Sequence, residues 1–496
     1  MRKLSILILL LSTAIIEVKA QKVKIPQDTM VTTNHSVKIN GKSIDYTAET
    51  GMMPLWNESG TPIASLFYTY YKRKNVNNPE DRPLVISFNG GPGSASVWMH
   101  IAYTGPRVLK IDDEGFPVQP YGIKENPHSI LDVADIVYVN PVNTGFSRPI
   151  PDAEGNVDKE RFFGVQADIT YLAEWLSTFV TRKNRWLSPK YLIGESYGTT
   201  RVSGLALELQ NSQWMYLNGV ILVSPTEIGI DREGPVEVAN RLPYFAAAAW
   251  YHKMLPSTLQ QKDLEELLPE VESYAINELL PVLMKGGFVD AEKKNEVAEK
   301  MAEYSGIKKE VILQNNMEVP FQYFWKELLR DKEGYTVGRL DSRYKGLDAR
   351  NSGDSPDYNS ELTSWLHSFT PAINHYLRND LQFNTDLKYF MFGPVHPWDR
   401  SGNNSGEMLR QAMAQNPNLD VLIQSGYFDG ATTYFNAKYS MWQLDQSGRM
   451  KDRLSFKGYR SGHMMYLRSE DLQKANDDLR DFINNTLPAK EQSAKY

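Results

Sequence analysis

Hydrophobic and polar positions follow two rhythms along this chain. Leu84-Val85-Ile86-Ser87-Phe88, Ile136-Val137-Tyr138-Val139, Tyr191-Leu192-Ile193, Val220-Ile221-Leu222-Val223 and Val421-Leu422-Ile423 are short apolar runs with little polar alternation. Such runs suit strands buried on both faces, as in a parallel sheet. Helical spacing marks the stretches at 161–182 and 199–210 that lie between them. Strand alternating with helix predicts an α/β fold: a mostly parallel central sheet, flanking helices and right-handed crossovers. Upstream, residues 36–49 alternate about Asn40-Gly41, a dipeptide suited to a tight hairpin, and 62–71 read as a further strand.

The rhythm breaks between 226 and 385. This part is rich in Glu, Lys, Leu and Met, has helical spacing over 257–285 and 290–332, and contains no buried-strand run. It predicts a helical cap inserted into a main domain made of 21–225 and 386–496. Strand character returns at 387–391 and 419–424, a helix-like segment at 469–485 follows, and 488–496 is expected to fray.

At the start, Arg2 and Lys3 precede an apolar run from Leu4 to Ile16, and Val18-Lys19-Ala20 closes it with the small residues a signal peptidase reads. The run is short for a bilayer span. The expectation is a signal peptide over 1–20, a mature start at Gln21 and an exported protein, periplasmic or secreted, with no integral membrane segment after signal removal. The 496 residues include no cysteine, which excludes disulfides, thiolate metal sites, iron–sulfur clusters and a cysteine nucleophile. An exported chain of this size without cysteine points to a bacterial envelope or secreted product. A net charge of −6 argues against a nucleic-acid partner.

The candidate chemistry begins at Gly194-Glu195-Ser196-Tyr197-Gly198. In a G-x-S-x-G turn from strand to helix, the serine stands above the sheet edge and the flanking glycines relieve clashes. A buried run precedes this motif and a helical stretch follows it, which makes Ser196 the candidate nucleophile. Asn89-Gly90-Gly91-Pro92-Gly93 follows another buried run. Acyl transfer needs backbone N–H groups aimed at a developing oxyanion, and the amides of Gly91 and Tyr197 are the candidates. An acid and a base should come later in the chain. His367 and His375 lie in polar, helix-like sequence. His396, in Gly393-Pro394-Val395-His396-Pro397, rivals His463, in Ser461-Gly462-His463 before the last helix. Asp429, in Gly426-Tyr427-Phe428-Asp429-Gly430, follows the run at 421–423 and lies where ligands meet open α/β sheets.

Together N-G-G-P-G, G-E-S-Y-G, the loop aspartate and the late G-H-M resemble the serine carboxypeptidases, peptidase family S10, of the α/β-hydrolase fold. Asn126-Pro127-His128-Ser129 and Gly145-Phe146-Ser147 add to the resemblance, which covers roughly 60–485. The lack of cysteine, G-Y-F-D and G-H-M-M-Y-L look like the family's bacterial branch. The resemblance implies Ser196 as nucleophile, His463 as base, Asp429 as its orienting acid, and an oxyanion hole from Gly91 and Tyr197. It also implies that Asn89 and Glu195 bind the terminal carboxylate of a peptide. A protonated Glu195 could donate a hydrogen bond to that carboxylate, whereas an ionised one would repel it.

The chain departs from the family where a second glutamate often precedes a Gly-Pro pair. Counted without gaps that position is Tyr103, before Thr104-Gly105-Pro106, so Tyr103 stands as a further candidate for substrate binding. The expected activity is release of residues from peptides with a free C-terminus through an acyl-enzyme on Ser196, without a cofactor or metal. An esterase or acyltransferase on the same scaffold, or a non-catalytic binding protein of that fold, are the competing readings.

Overall fold

The computed structural model describes residues 24–488; the expected signal segment and the tail from 489 fall outside the described residues. All five buried runs form strands. In chain order the main strands are β1 (Thr29–Ile39), β2 (Lys42–Trp56), β3 (Pro62–Arg73), β4 (Leu84–Phe88), β5 (Asp135–Val139), β6 (Lys190–Glu195), β7 (Gly219–Val223), β8 (Asp420–Gly426) and β9 (Leu454–Tyr459). They lie in the order β1-β2-β3-β5-β4-β6-β7-β8-β9. From β5 to β9 every neighbour is parallel, and β1 to β3 form an antiparallel ribbon joined to β5. The β1–β2 turn is Asn40 and Gly41, both at positive φ (47° and 79°), the geometry such a tight hairpin requires.

Burial on both faces explains the unbroken apolar runs. One core packs Val85, Ile193 and Ile221 against Tyr103, Trp98 and the C-terminal helix Ser469–Asn485. The other packs Ile86, Leu192 and Leu222 against the helices Val165–Arg182 and Tyr197–Ser212. These two helices follow the stretches read as helical in the sequence. No helix among the described residues is long and apolar enough to cross a membrane.

Two expectations change. Residues 387–391 do not enter the sheet. Phe390 and Phe392 instead make isolated bridges to Gly145 and Ser94, so this segment braces loops beside the site. The insertion expected over 226–385 is divided by its packing. A separate helical core runs from Val238 to Val337. The helix Ser360–His375 places Trp365, Phe369 and Ile373 in the core beneath the sheet, and Tyr376 directly after it joins them. A two-residue strand pair, Thr336–Val337 with Lys345–Gly346, connects the two parts.

Candidate active site

Glu195 ends β6 and Ser196 begins the turn into the next helix, Tyr197–Ser212. Ser196 holds φ 58° and ψ −128°, a region unfavourable for a side-chain-bearing residue. Its amide donates to Val223 O at 3.0 Å, and its carbonyl accepts from Thr199 N at 2.8 Å. A Cβ at Gly194 would sit 2.1 Å from Gly198 O, so the turn closes only with glycine there. The Asn89–Gly93 loop approaches as closely: a Cβ on Gly90 would lie 2.5 Å from Tyr197 N. Gly91, at φ 105°, borders the same cavity as Ser196.

That cavity, of about 200 Å³, is lined by Gly90, Gly91, Glu195, Ser196, His463 and Met464 together with Trp98, Trp365, Leu340 and Arg339. A larger hollow of about 420 Å³ beside Trp442 and Phe456 contains none of the candidate groups. His463 is 6% exposed, and its Nδ1 lies 2.7 Å from Asp429 Oδ2. The ring therefore carries its neutral-form proton on Nδ1 and presents Nε2 as an acceptor. Burial opposes a charge on His463, but the adjacent Asp429 carboxylate outweighs it and holds the imidazole above its ordinary pKa. No hydrogen bond joins Ser196 to the ring, although both line the same cavity.

Asp429 is fully buried. Its Oδ1 accepts from the amides of Ala431 and Thr432 at 2.8 and 3.1 Å. The Thr432 hydroxyl lies 2.6 Å from Oδ2 and 3.0 Å from Ser224 O, and Ser224 donates its own hydroxyl to His463 O at 2.7 Å. His396 is exposed and lies outside the cavity lining, so His463 takes the position for which the two were rivals.

Glu195 is 3% exposed. Asn89 Nδ2 donates to its Oε1 at 2.9 Å, and the Tyr466 hydroxyl donates to its Oε2. Burial pushes the carboxyl up to about 7, against the opposing pull of His463 and of the Tyr466 hydrogen bond. Near neutral pH this side chain thus carries a proton for much of the time.

Tyr103 is a correction. Its hydroxyl donates to Gln424 Oε1 at 2.6 Å, away from the cavity, because its ring is laid flat in the core. It stacks on the Tyr466 ring, and it is the Tyr466 hydroxyl that reaches Glu195. Three further contributors were not read from the sequence. Tyr466 belongs to the quoted G-H-M-M-Y-L segment but had no role there. Ser224 directly follows a buried run, the same signal that singled out Asp429. Arg201 lies among the apolar positions of the helix after Ser196. It is fully buried, pairs with Asp168 at 2.7 Å, and donates to Asn89 O at 2.5 Å, tying the Gly-rich loop to that helix.

The sequence model of the serine carboxypeptidases, Peptidase S10, matches residues 40–457. The chain belongs to the serine carboxypeptidase family. Among relatives of this serine carboxypeptidase-family chain, serine carboxypeptidase-like 16 of Arabidopsis thaliana is 29% identical over 183 residues, 34% of this chain and 40% of that protein. Serine carboxypeptidase S10 family member 1 of Dictyostelium discoideum is 30% identical over 145 residues, 29% of this chain and 31% of that protein. These alignments span well under half of the relatives' lengths. Among solved structures, Kex1, a prohormone-processing carboxypeptidase of Saccharomyces cerevisiae, superposes with a TM-score of 0.52 at 14% identity, covering 88% of this chain and 91% of that one. At that identity the likeness concerns the fold, which is the α/β-hydrolase fold.

Proposed function

We propose that this chain is an exported serine carboxypeptidase that removes residues from the free C-terminus of peptides. Ser196 Oγ attacks the scissile carbonyl while His463 Nε2 takes its proton, and Asp429 steadies the imidazolium that forms. The amides of Gly91 and Tyr197 stabilise the tetrahedral oxyanion. His463 then returns the proton to the leaving amine. Water, activated by the same imidazole, releases the acyl group.

The observation that carries the carboxypeptidase reading is Glu195. A buried carboxyl with a pKa raised to about 7, next to the nucleophile and held by Asn89, can donate a hydrogen bond to a substrate carboxylate. An esterase has no use for such a group. Export rests on the basic and apolar N-terminal run and on the absence of cysteine.

The test is hydrolysis of N-blocked dipeptides with a free or an amidated C-terminus, with phosphonate labelling of the wild type and Ser196→Ala. Release from the free acids alone, and labelling of the wild type alone, supports the proposal. Equal turnover of amides and esters would favour an esterase or acyltransferase. No labelling of the wild type would favour a binding protein.

A further inference from the structure

Arg339 is a cation in the wall of the Ser196 cavity that makes no ion pair with a carboxylate, although the buried Glu361 feels its charge. It lies in the turn between Thr336–Val337 and Lys345–Gly346. Among the described residues its side chain has no ion pair and no hydrogen bond. Its neighbour Arg343 differs: it is buried and pairs with Asp341 at 2.6 Å.

The backbone that carries Arg339 is fastened to both loops of the acid–base pair. Arg339 O accepts from Gly430 N at 3.0 Å, one residue beyond Asp429, and Leu340 O accepts from His463 N at 2.6 Å. From behind, Leu340 N donates to Glu361 Oε1 at 2.9 Å, and Glu361 is fully buried. The base of the Arg339 side chain is therefore held in register with the reacting groups, while the residue stays exposed and lines the cavity. Its positive field is felt at His463, where it opposes protonation.

The rest of the wall is largely aromatic and aliphatic: Trp98, Trp365, Phe392, Leu340, Leu362 and Met464. The only carboxyl in it is Glu195, whose two oxygens are already held by Asn89 and Tyr466. A guanidinium without an ion pair or hydrogen bond, on a fastened backbone and beside apolar walls, matches the planar two-oxygen face of a carboxylate. Glu195 is buried next to the nucleophile and suits the main-chain carboxylate. Arg339 is an exposed residue of the same lining and suits a group that reaches out from the substrate's main chain.

We propose that Arg339 makes the site selective for peptides with an aspartyl or glutamyl side chain beside the scissile bond; this rests on the carboxypeptidase reading above.

The experiment is a competition in one reaction between N-blocked dipeptides that differ only in Glu, Gln or Lys, in one series at the C-terminal and in another at the penultimate position. The readout is the Glu-to-Gln ratio of kcat/KM, which does not depend on how much of a preparation is folded. In the wild type the ratio is expected to be about tenfold at one of the two positions at low salt, since a charge-assisted pair at a partly open site is worth that order of discrimination. It should shrink as salt is raised. Arg339→Gln should bring the ratio to about one, and Arg339→Glu should invert it in favour of Lys. A wild-type ratio near one at both positions overturns the proposal. So does a ratio that survives in Arg339→Gln, which would leave Arg339 a reader of the terminal carboxylate or a scaffold residue. If Arg339→Gln does not fold, the salt dependence of the wild-type ratio decides. If no dipeptide is cleaved, the peptidase reading has failed. The same ratio is then measured with esters of N-blocked Glu and Gln, and a preference for Glu sustains Arg339 while its absence overturns it.

Discussion

Tyr103 and Tyr466 stack with ring centroids 4.7 Å apart and planes 5° from parallel, and this packing delivers the Tyr466 hydroxyl to Glu195. Tyr466→Phe keeps the stack and removes a hydrogen bond that favours the ionised carboxylate. The pKa of Glu195 should then rise further, so the alkaline decline of kcat/KM on peptides should move to higher pH while ester hydrolysis keeps its profile. Tyr103→Phe leaves Gln424 Oε1 without its donor. It should lower stability by about 1–3 kcal/mol with little effect on the peptide pH profile. Denaturant titration and pH–rate profiles of the two variants check both outcomes, and matching pH shifts in both would return Tyr103 to the site.

Ser196, His463 and Asp429 should behave as one unit. Ser196→Ala and His463→Ala are each expected to remove nearly all turnover, with the double variant scarcely slower. Asp429→Asn should fold and lower kcat by about 10⁴, because Nδ1 would lose the carboxylate that fixes the tautomer. Steady-state rates with a chromogenic ester measure all four. A harmless His463→Ala would require another base.

The pH profile follows from opposite demands on neighbouring groups. Attack needs His463 neutral, so activity appears as pH rises through its elevated pKa. Holding a substrate carboxylate needs Glu195 protonated, so peptide hydrolysis fades as pH rises through about 7 in the free enzyme. The two sites interact, so the limbs belong to the pair rather than to either residue alone. A bell is expected for peptides and only the acid limb for esters. Glu195→Gln should abolish the alkaline limb for peptides; an unchanged limb would remove Glu195 from carboxylate recognition.

Arg201 should matter for both stability and rate. Arg201→Met leaves the fully buried Asp168 unpaired, which is expected to destabilise the protein by about 3–5 kcal/mol. It also frees the Asn89 carbonyl, loosening the loop that carries Gly91. Replacing Asp168 by leucine as well should recover much of the stability but not the lost kcat, because the loop would remain untied. Thermal unfolding and kcat on the single and double variants separate the two effects, and full recovery of kcat in the double variant would deny the loop a part.

The sequence by itself determined what short-range physics controls. Apolar runs at 84–88, 136–139, 191–193, 220–223 and 421–423 fitted strands covered on both faces, which they form, and Asn40-Gly41 could close a hairpin because both residues accept positive φ. The Gly194 to Gly198 turn was legible for a related reason: Gly194 answers a steric contact four residues away, at Gly198 O, and the serine stands between a strand and a helix, whereas Gly198 makes room for the distant Phe88–Asn89 backbone. Loops after buried strands located Asp429, and the last loop before the closing helix located His463. Tertiary structure decided which of two histidines meets Asp429, and which tyrosine reaches Glu195. It also sent the helix Ser360–His375 into the core beneath the sheet, and it put Arg339 in the same cavity wall as Ser196 without an ion pair. Those outcomes depend on residues brought together from distant parts of the chain, as Tyr466 and Glu195 are. Periodicity records which face of an element is buried, but only packing selects the side chain that will lie against it.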